Sequence, residues 1–496
     1  MSEIKNLFNQ TIVYGFSSVV ARILNFFLVP LYTVLFMPSE YAIVAEMYAY
    51  AALIMVLGSF GMETAFFRFY TTTKNPSSVF STAFSFVLSN AILFLFFGSV
   101  FHQEIANCLG HSNHPEYVLY FVLIIGFDLF SIIPFSILRQ QNKALKFATI
   151  KTVNILINIS LNLFFLLLCP YLLKQGFLTE LIGFFYTPPV SVLYVFISNL
   201  IASLLTAIIL LSDRTIIIIN LIRPNYTLLK KMLKYSWPIL IAGVAFIINE
   251  TADKILIKHL LPKGIAMREL GIYSACYKLT IFMTLFVQAY RFAAEPFFFN
   301  QFSKPNAKTV YSLMLQVFTL LSLFIFLFVV LYLDFIKLII PNTLYHEGLK
   351  IVPIVLLANI FLGIYYNLSV WYKVTNKTYY AAVISMIGAF LTIIFNIVLI
   401  PKYGYMGAAW TTLICYMTMT LVSFYFGQHN FKINYSLRRI SYYFFITLSV
   451  FFVSQVLTQK IYNIQIDNTI LFLLYIIFMY MELRRIFFNK KTKILS

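Results

Sequence analysis

TIVYGFSSVVARILNFFLVPLYTVLF, residues 11–36, is the stretch that decides how this chain is read. It stays apolar long enough to cross about 30 Å of hydrocarbon at ~1.5 Å per helical residue. It is too long for a signal-peptide core and no small-residue cleavage site follows, so it reads as a retained first membrane span. It also carries one charge, Arg22. Ser18, Arg22 and Asn25 fall at i, i+4 and i+7, which is one helical face. Lipid does not accept such a stripe, so this face must meet protein or water.

The pattern returns 232 residues later. Ala21-Arg22-Ile23-Leu24 matches Asp253-Lys254-Ile255-Leu256 at its cation and both aliphatics; Pro30 matches Pro262, Tyr41 matches Tyr273, Glu63 matches Glu295, and Phe66-Phe67 matches Phe298-Phe299. From Arg22 to Phe67 that offset gives ten identities in 46 ungapped pairs. At an offset of 234, Asn142-Lys143 matches Asn376-Lys377 and Asn162 matches Asn396. Intramembrane charges repeated in two halves of one chain point to a transporter built from related bundles.

Composition sets the class. Hydrophobic residues make up 61% of the 496-residue chain and charged residues 11%, with a mean hydropathy of +0.86. This is a polytopic membrane protein, all-α. Fourteen apolar segments are each long enough to span: 11–36, 42–62, 79–101, 117–138, 148–170, 190–212, 235–258, 270–290, 309–332, 351–371, 379–400, 405–427, 440–458 and 468–486. With the amino terminus in the cytoplasm, 25 of the 36 Lys and Arg fall in inside segments, eight in outside segments, Lys258 among them, and three within spans. That bias places both termini in the cytoplasm. The net charge of +19 therefore reflects basic loops beside anionic headgroups and does not imply nucleic acid. The expected organisation is an N-lobe over 1–212 (spans one to six), a cytoplasmic linker over 213–234, a C-lobe over 235–434 (spans seven to twelve), and spans thirteen and fourteen with a basic tail over 435–496. An even number of spans per half makes the two six-helix repeats parallel, and the last two helices have no counterpart.

The residues able to carry chemistry are the ionisable ones inside spans. Arg22, Lys254, Lys278 and Arg291, with Asn25, are the candidates for binding an anionic substrate. Glu46, Glu63, Asp253 and Glu295 are the candidates for gating ion pairs. Glu250, Asp253 and Lys254 lie at i, i+3 and i+4, on one face of span seven. At the 232 offset Glu46 corresponds to Lys278, so these two could pair across the halves. Glu63 and Glu295 sit near Arg68 and Arg291. Asp128, alone on span four, and Glu250 are candidates for coupling to a cation. His102, His111 and His114 share one outside loop and read as solvated. The four cysteines have no metal or disulfide spacing, and no nucleotide loop or zinc motif is present, so no metal and no cofactor beyond a Na+ or H+ coupling ion is expected.

The segments Tyr14-Gly15, Arg22, Asn25-Phe26, Val29-Pro30-Leu31-Tyr32-Thr33 and Glu40-Tyr41 resemble the amino-terminal signature of bacterial polysaccharide-biosynthesis transporters. These are the Wzx-type oligosaccharide flippases of the multidrug/oligosaccharidyl-lipid/polysaccharide (MOP) exporter superfamily, whose fold is MATE-like. Asp253-Lys254 resembles the Asp-Arg pair of their seventh span, with Lys in place of Arg. Gly271-Ile272-Tyr273 and Tyr277-Lys278 resemble the start of the eighth. Asn396-Ile-Val-Leu-Ile400-Pro401-Lys-Tyr403-Gly404-Tyr-Met-Gly407-Ala408-Ala409 is similar to the connection between spans eleven and twelve, read as a tight turn followed by close helix packing. The resemblance implies fourteen helices in two lobes and a substrate of undecaprenyl-pyrophosphate-linked glycan, such as an O-antigen or capsule precursor, moved across the bacterial inner membrane by alternating access.

The alternatives within the superfamily are a lipid II flippase and a multidrug or cation antiporter. Drug exporters usually have twelve spans and acidic cavities, whereas cations on the spans favour an anion. A membrane-bound glycan polymerase or ligase would need a large outside loop, which the sequence lacks, so the chain does not read as an enzyme. Its partners are expected to be the lipid-linked glycan and membrane lipids, with a polysaccharide polymerase and a chain-length regulator as candidates, and the protein itself a monomer.

Overall fold

The computed structural model describes residues 19–20, 22–177, 179–212, 224–458 and 464–488. Ser18 of the first polar stripe lies outside them. Among the described residues every regular element is a helix. A backbone in lipid must satisfy its own polar groups, and a helix does so within one segment. Ten of these helices are long and apolar enough to span, and an eleventh span is a bent pair. Three further expected spans are helical but miss that test: the first, described only from Arg22 to Leu35, Tyr226–Leu260 and Ile464–Phe488.

The chain divides into two compact units. The first runs to His259 and includes Lys263–Gly271; the second holds Leu260–Pro262 and the chain from Ile272 onward. The long helix Tyr226–Leu260 starts well before residue 235, and all of it up to His259 packs with the first unit. Sequence repeat and compactness thus divide the chain one helix apart.

In the first unit the helix Pro38–Ser59 begins with Pro at its first turn, and the Glu40 carboxylate accepts a 2.8 Å hydrogen bond from the Met37 backbone N–H. It breaks at Phe60 and Gly61, both left-handed, before Met62–Thr72 continues. Pro115–Gln140 is the most buried span of this unit. At Gly126 it meets Pro76–Val100 so closely that a Cβ would lie 2.4 Å from the Leu95 side chain. Lipid supplies no hydrophobic drive between helices, so small residues that permit this approach hold the bundle.

The eighth expected span is a pair of helices, Lys263–Lys278 and Ile281–Phe302, bent by 53° at Leu279–Thr280, and the second unit takes over at Ile272, within the first of them. The turn between Tyr379–Tyr403 and Tyr405–Asn430 is made by Gly404 at φ 57° and ψ −142°, a conformation that suits only glycine. Ala408 and Ala409 beyond it are fully buried, as the tight-turn reading expected. The two appended helices, Leu437–Thr458 and Ile464–Phe488, are tied down by polar contacts. Ser454 donates to Asn468 at 2.6 Å, Asn468 donates to the Leu331 carbonyl at 3.0 Å, and Tyr443 donates to Glu482 at 2.9 Å.

The internal repeat is visible in backbone geometry. Asn142 and Asn376, matched at the 234 offset, are both left-handed, at φ 59° and 58°. After each, the next N–H reaches back five residues: Lys143 to the Leu138 carbonyl at 2.9 Å, and Lys377 to Tyr372 at 2.8 Å. Both are the same glycine-like helix stop, filled by asparagine. Among the described residues the architecture is all-helical, with the repeat recognisable in both units and two further helices after the second.

Candidate functional site

Among the described residues, five groups containing ionisable side chains matter in the first unit. Arg22 and Asn25 lie on the first helix and are both exposed. Along Tyr226–Leu260, Asp253 is buried and Lys254 half-buried. Lys254 Nζ lies 3.6 Å from Asp253 and donates to the Glu250 carbonyl at 3.3 Å, and its backbone N–H donates to the Asp253 carboxylate at 2.8 Å. The sequence-predicted stripe Glu250–Asp253–Lys254 is therefore one local cluster. Its positive charge is partly offset by the adjacent acid, as a desolvated cation requires.

One turn further on, the structure departs from expectation. Glu46 is fully buried, and its carboxylate is engaged by Lys258 Nζ at 2.5 Å and by His111 Nε2 at 2.9 Å. Lys258 also donates to the Leu109 carbonyl. Neither partner was legible in the sequence. Lys258 read as an outside-loop cation and His111 as a solvated histidine, yet their side chains are only 11% and 10% exposed. His114, 56% exposed, fits the loop reading. A buried carboxylate recruits every donor within reach, because an uncompensated charge there costs several kcal/mol, and these donors come from 65 and 212 residues away.

Asp128, on the central helix, lies within interaction range of Ser203 and Lys151. Close by, Asn199 donates to the Tyr48 hydroxyl at 2.6 Å and Asn154 to the Thr206 hydroxyl at 2.9 Å. At the helix ends Glu63 accepts from Arg139 at 2.8 Å, with both side chains over 40% exposed.

The second unit repeats this last pair. Glu295 accepts from Lys373 at 2.8 Å, and Glu295 and Lys373 are the repeat counterparts of Glu63 and Arg139 at the two offsets. The expected neighbours of the two acids are engaged elsewhere: Arg68 lies over the Tyr235 ring at 4.2 Å and Arg291 over Tyr366 at 4.9 Å. Arginine stacks readily on aromatic faces. Lys278 is exposed at the end of Lys263–Lys278, just before the bend, where the carbonyl end of a helix favours a cation. Asn162 and Asn396, matched in the repeat, are both fully buried. Asn162 accepts from the Tyr32 hydroxyl at 2.9 Å, whereas neither amide atom of Asn396 is hydrogen-bonded.

A small cleft opens beside the Glu295–Lys373 pair, lined among others by Tyr290, Arg291, Phe298, Phe299 and Tyr366. The Tyr290 hydroxyl donates to Asn367 at 2.7 Å.

The family described as polysaccharide biosynthesis protein matches residues 7–301, more than half of the chain. The chain belongs to this family. Among solved structures it is similar to the lipid II flippase MurJ in an inward closed conformation, at TM-score 0.71 and 17% identity, covering 96% of this chain and 100% of that one. It is also similar to an inward-facing multidrug-resistance MATE family transporter of the MOP superfamily, at TM-score 0.64 and 11% identity over 87% of this chain and 95% of that one. A point mutant of the Vibrio cholerae MATE transporter VcmN follows at TM-score 0.56 and 15% identity over 86% and 96%. No curated protein sequence matches it. These likenesses establish a MurJ/MATE-like fold.

Proposed function

We propose that this protein is a flippase for undecaprenyl-pyrophosphate-linked oligosaccharide, an O-antigen, capsule or related surface-glycan precursor, in the bacterial inner membrane. The observation that carries this reading is the match to a polysaccharide-biosynthesis family over a MurJ/MATE-like bundle that keeps cations on its spanning helices. The substrate is amphipathic, with a pyrophosphate that must be desolvated. Arg22, exposed on the first helix, and Lys254, half-buried on the long helix, supply positive charge at matched repeat positions. A charge-assisted contact to phosphate offsets that desolvation. Lys254 offers a point charge and not a bidentate fork. Lys278 and Arg291 extend the cation set, and Asn25 adds a neutral donor.

Glu63 and Glu295, each with its own basic partner, are the candidates for pairs that exchange during alternating access. Asp128, beside Ser203 and Lys151, and Glu250 are the candidates for Na+ or H+ coupling. Both termini face the cytoplasm in this reading. The protein acts as a monomer that binds and moves its substrate without covalent chemistry, and delivers it to a polysaccharide polymerase and chain-length regulator.

Arg22→Ala and Lys254→Ala should each abolish surface-glycan export while the protein still inserts in the membrane, and Lys254→Arg should retain activity. Glycan staining beside membrane-fraction immunoblots reads both. Normal export in both alanine variants would sink the anion-binding role. Similarity to a lipid II flippase supports a second reading, in which the cargo is lipid II. Reconstituted vesicles loaded with one lipid-linked substrate or the other separate the two.

A further inference from the structure

Equivalent helices of the two repeats are joined in different ways. In the second repeat, Tyr379–Tyr403 and Tyr405–Asn430 are joined at Gly404 alone. Their counterparts in the first, Ala144–Lys174 and Leu193–Leu211, are separated by the segment from Gln175 to Val192. One residue is enough to turn the chain here, so connection does not explain the longer segment.

The segment does not stand away from the bundle. It turns at Gly176, where φ is 70°, forms a short helix over Thr179–Gly183 and folds back along the helix it left. Phe185 stacks on Phe164 with ring centres 5.7 Å apart, and Tyr186 stacks on Tyr194 at 4.7 Å. Ile182 and Tyr186 are buried. The Thr187 N–H donates to the Tyr194 hydroxyl at 2.6 Å, and that hydroxyl donates to the Thr187 carbonyl at 3.0 Å. The N–H groups of Phe185 and Tyr186 return to the Ile182 carbonyl at 3.1 and 2.9 Å. This stretch of backbone therefore meets its own polar needs, as contact with lipid requires.

Two rulers give its depth. Counted from Ala144, just after the basic residue Lys143, Phe164 lies roughly 30 Å along the helix, the thickness of the hydrocarbon layer. Leu193–Leu211 has 19 residues and covers about 28 Å. Its first turn, where Tyr194 stacks on Phe165 at 5.3 Å, marks the same boundary. Phe185 and Tyr186 are thus level with the edge of the hydrocarbon. Beside them Phe184 is 92% exposed and Leu181 60% exposed. Leu163 and Leu167, which flank Phe164 on the spanning helix, are exposed as well. Apolar surface therefore runs from the span onto the segment. Docking accounts for Ile182, Phe185 and Tyr186, but it leaves Leu181 and Phe184 bare.

We propose that the segment from Gln175 to Val192 is an interfacial anchor, with Leu181 and Phe184 seated in bilayer lipid where acyl chains meet headgroups. Lipid is the occupant because the two side chains share both the depth and the apolar surface of the span. Lys174 and Glu180, both exposed, would lie in the headgroup layer, where charges are tolerated beside buried apolar side chains. The anchor belongs to one repeat only, and it holds whatever cargo the protein moves.

The test uses the full-length protein in vesicles of phosphatidylethanolamine and phosphatidylglycerol. Cys108→Ser removes the exposed native thiol, and the other three cysteines are buried. Bimane is then attached through Phe184→Cys or, for comparison, through Asn113→Cys in an exposed polar loop. Phosphatidylcholine brominated near the head of its acyl chains should quench the label at 184 at least about twofold more than the label at 113. Iodide on both sides of the membrane should show the reverse order. Leu181→Cys should behave as Phe184→Cys does, because both positions belong to one face. Iodide quenching at 184 equal to that at 113, with no effect of brominated lipid, would overturn the proposal and make this a water-facing surface. Quenching at 184 by neither agent would also overturn it, by showing that protein covers the face.

Discussion

Glu46 and Glu63 sit on successive helices of the same unit, and their surroundings are opposite. Glu46 is fully buried and held by Lys258, with His111 as a second partner. Glu63 is 43% exposed and pairs with Arg139 on the surface. In the second unit the position of Glu46 is taken by Lys278, while Glu63 recurs as Glu295 with an equivalent basic partner. The exposed, weak pair is the one that both repeats retain, whereas the buried acid is replaced by a lysine in the second. A buried ion pair contributes little net stability when intact but is costly to break. It therefore suits a permanent lock on a single element, here the end of the long helix Tyr226–Leu260. An exposed pair is worth at most about 1 kcal/mol. It can open and close at little cost, which suits a contact remade in every transport cycle.

The largest effect separating these two sites should come from Lys258→Met. It strands the Glu46 carboxylate and should destabilise the first unit by about 3–5 kcal/mol, read as a lower unfolding midpoint in detergent and reduced membrane abundance. Adding Glu46→Gln to that variant should recover much of the loss, because a neutral amide can be buried more cheaply than a lone carboxylate. If the double variant is no more stable than the single, the cluster is not an electrostatic lock.

His111→Leu should cost less, about 1–3 kcal/mol, since one donor to a buried charge is lost while the lysine remains. A change as large as that of Lys258→Met would show that the histidine, not the lysine, carries the compensation.

The smallest stability effects should come from Glu63→Gln and Glu295→Gln, each within about 1 kcal/mol of the parent. Their consequence should instead be conformational. Thiol labelling of cysteines introduced near the cytoplasmic mouth should shift towards the inward-open state in both. Unchanged labelling together with unchanged stability would make these acids surface residues with no gating role.

The helices were legible because a bilayer imposes one rule on every segment, and apolar length satisfies it openly. The repeat was legible for a related reason. Pro30 and Pro262, or Asn142 and Asn376, keep their identity at a constant offset, and the shared helix stop at the two asparagines carries that correspondence into the backbone. Glu250, Asp253 and Lys254 could be grouped in advance because helical spacing alone brings them together. The bend at Leu279–Thr280 was not legible, since the apolar pattern runs through it without a proline or glycine.

What the sequence determined by itself is therefore local or periodic: the membrane class, the helical segments, the duplicated plan, and the acids and bases that had to avoid lipid. Only the tertiary structure decided which of them meet. Lys258 reaches Glu46 across 212 residues and Lys373 reaches Glu295 across 78, and no spacing rule spans such distances. The physical reason is that an intramembrane charge fixes its own need for a partner, while the partner's identity depends on which helices pack side by side.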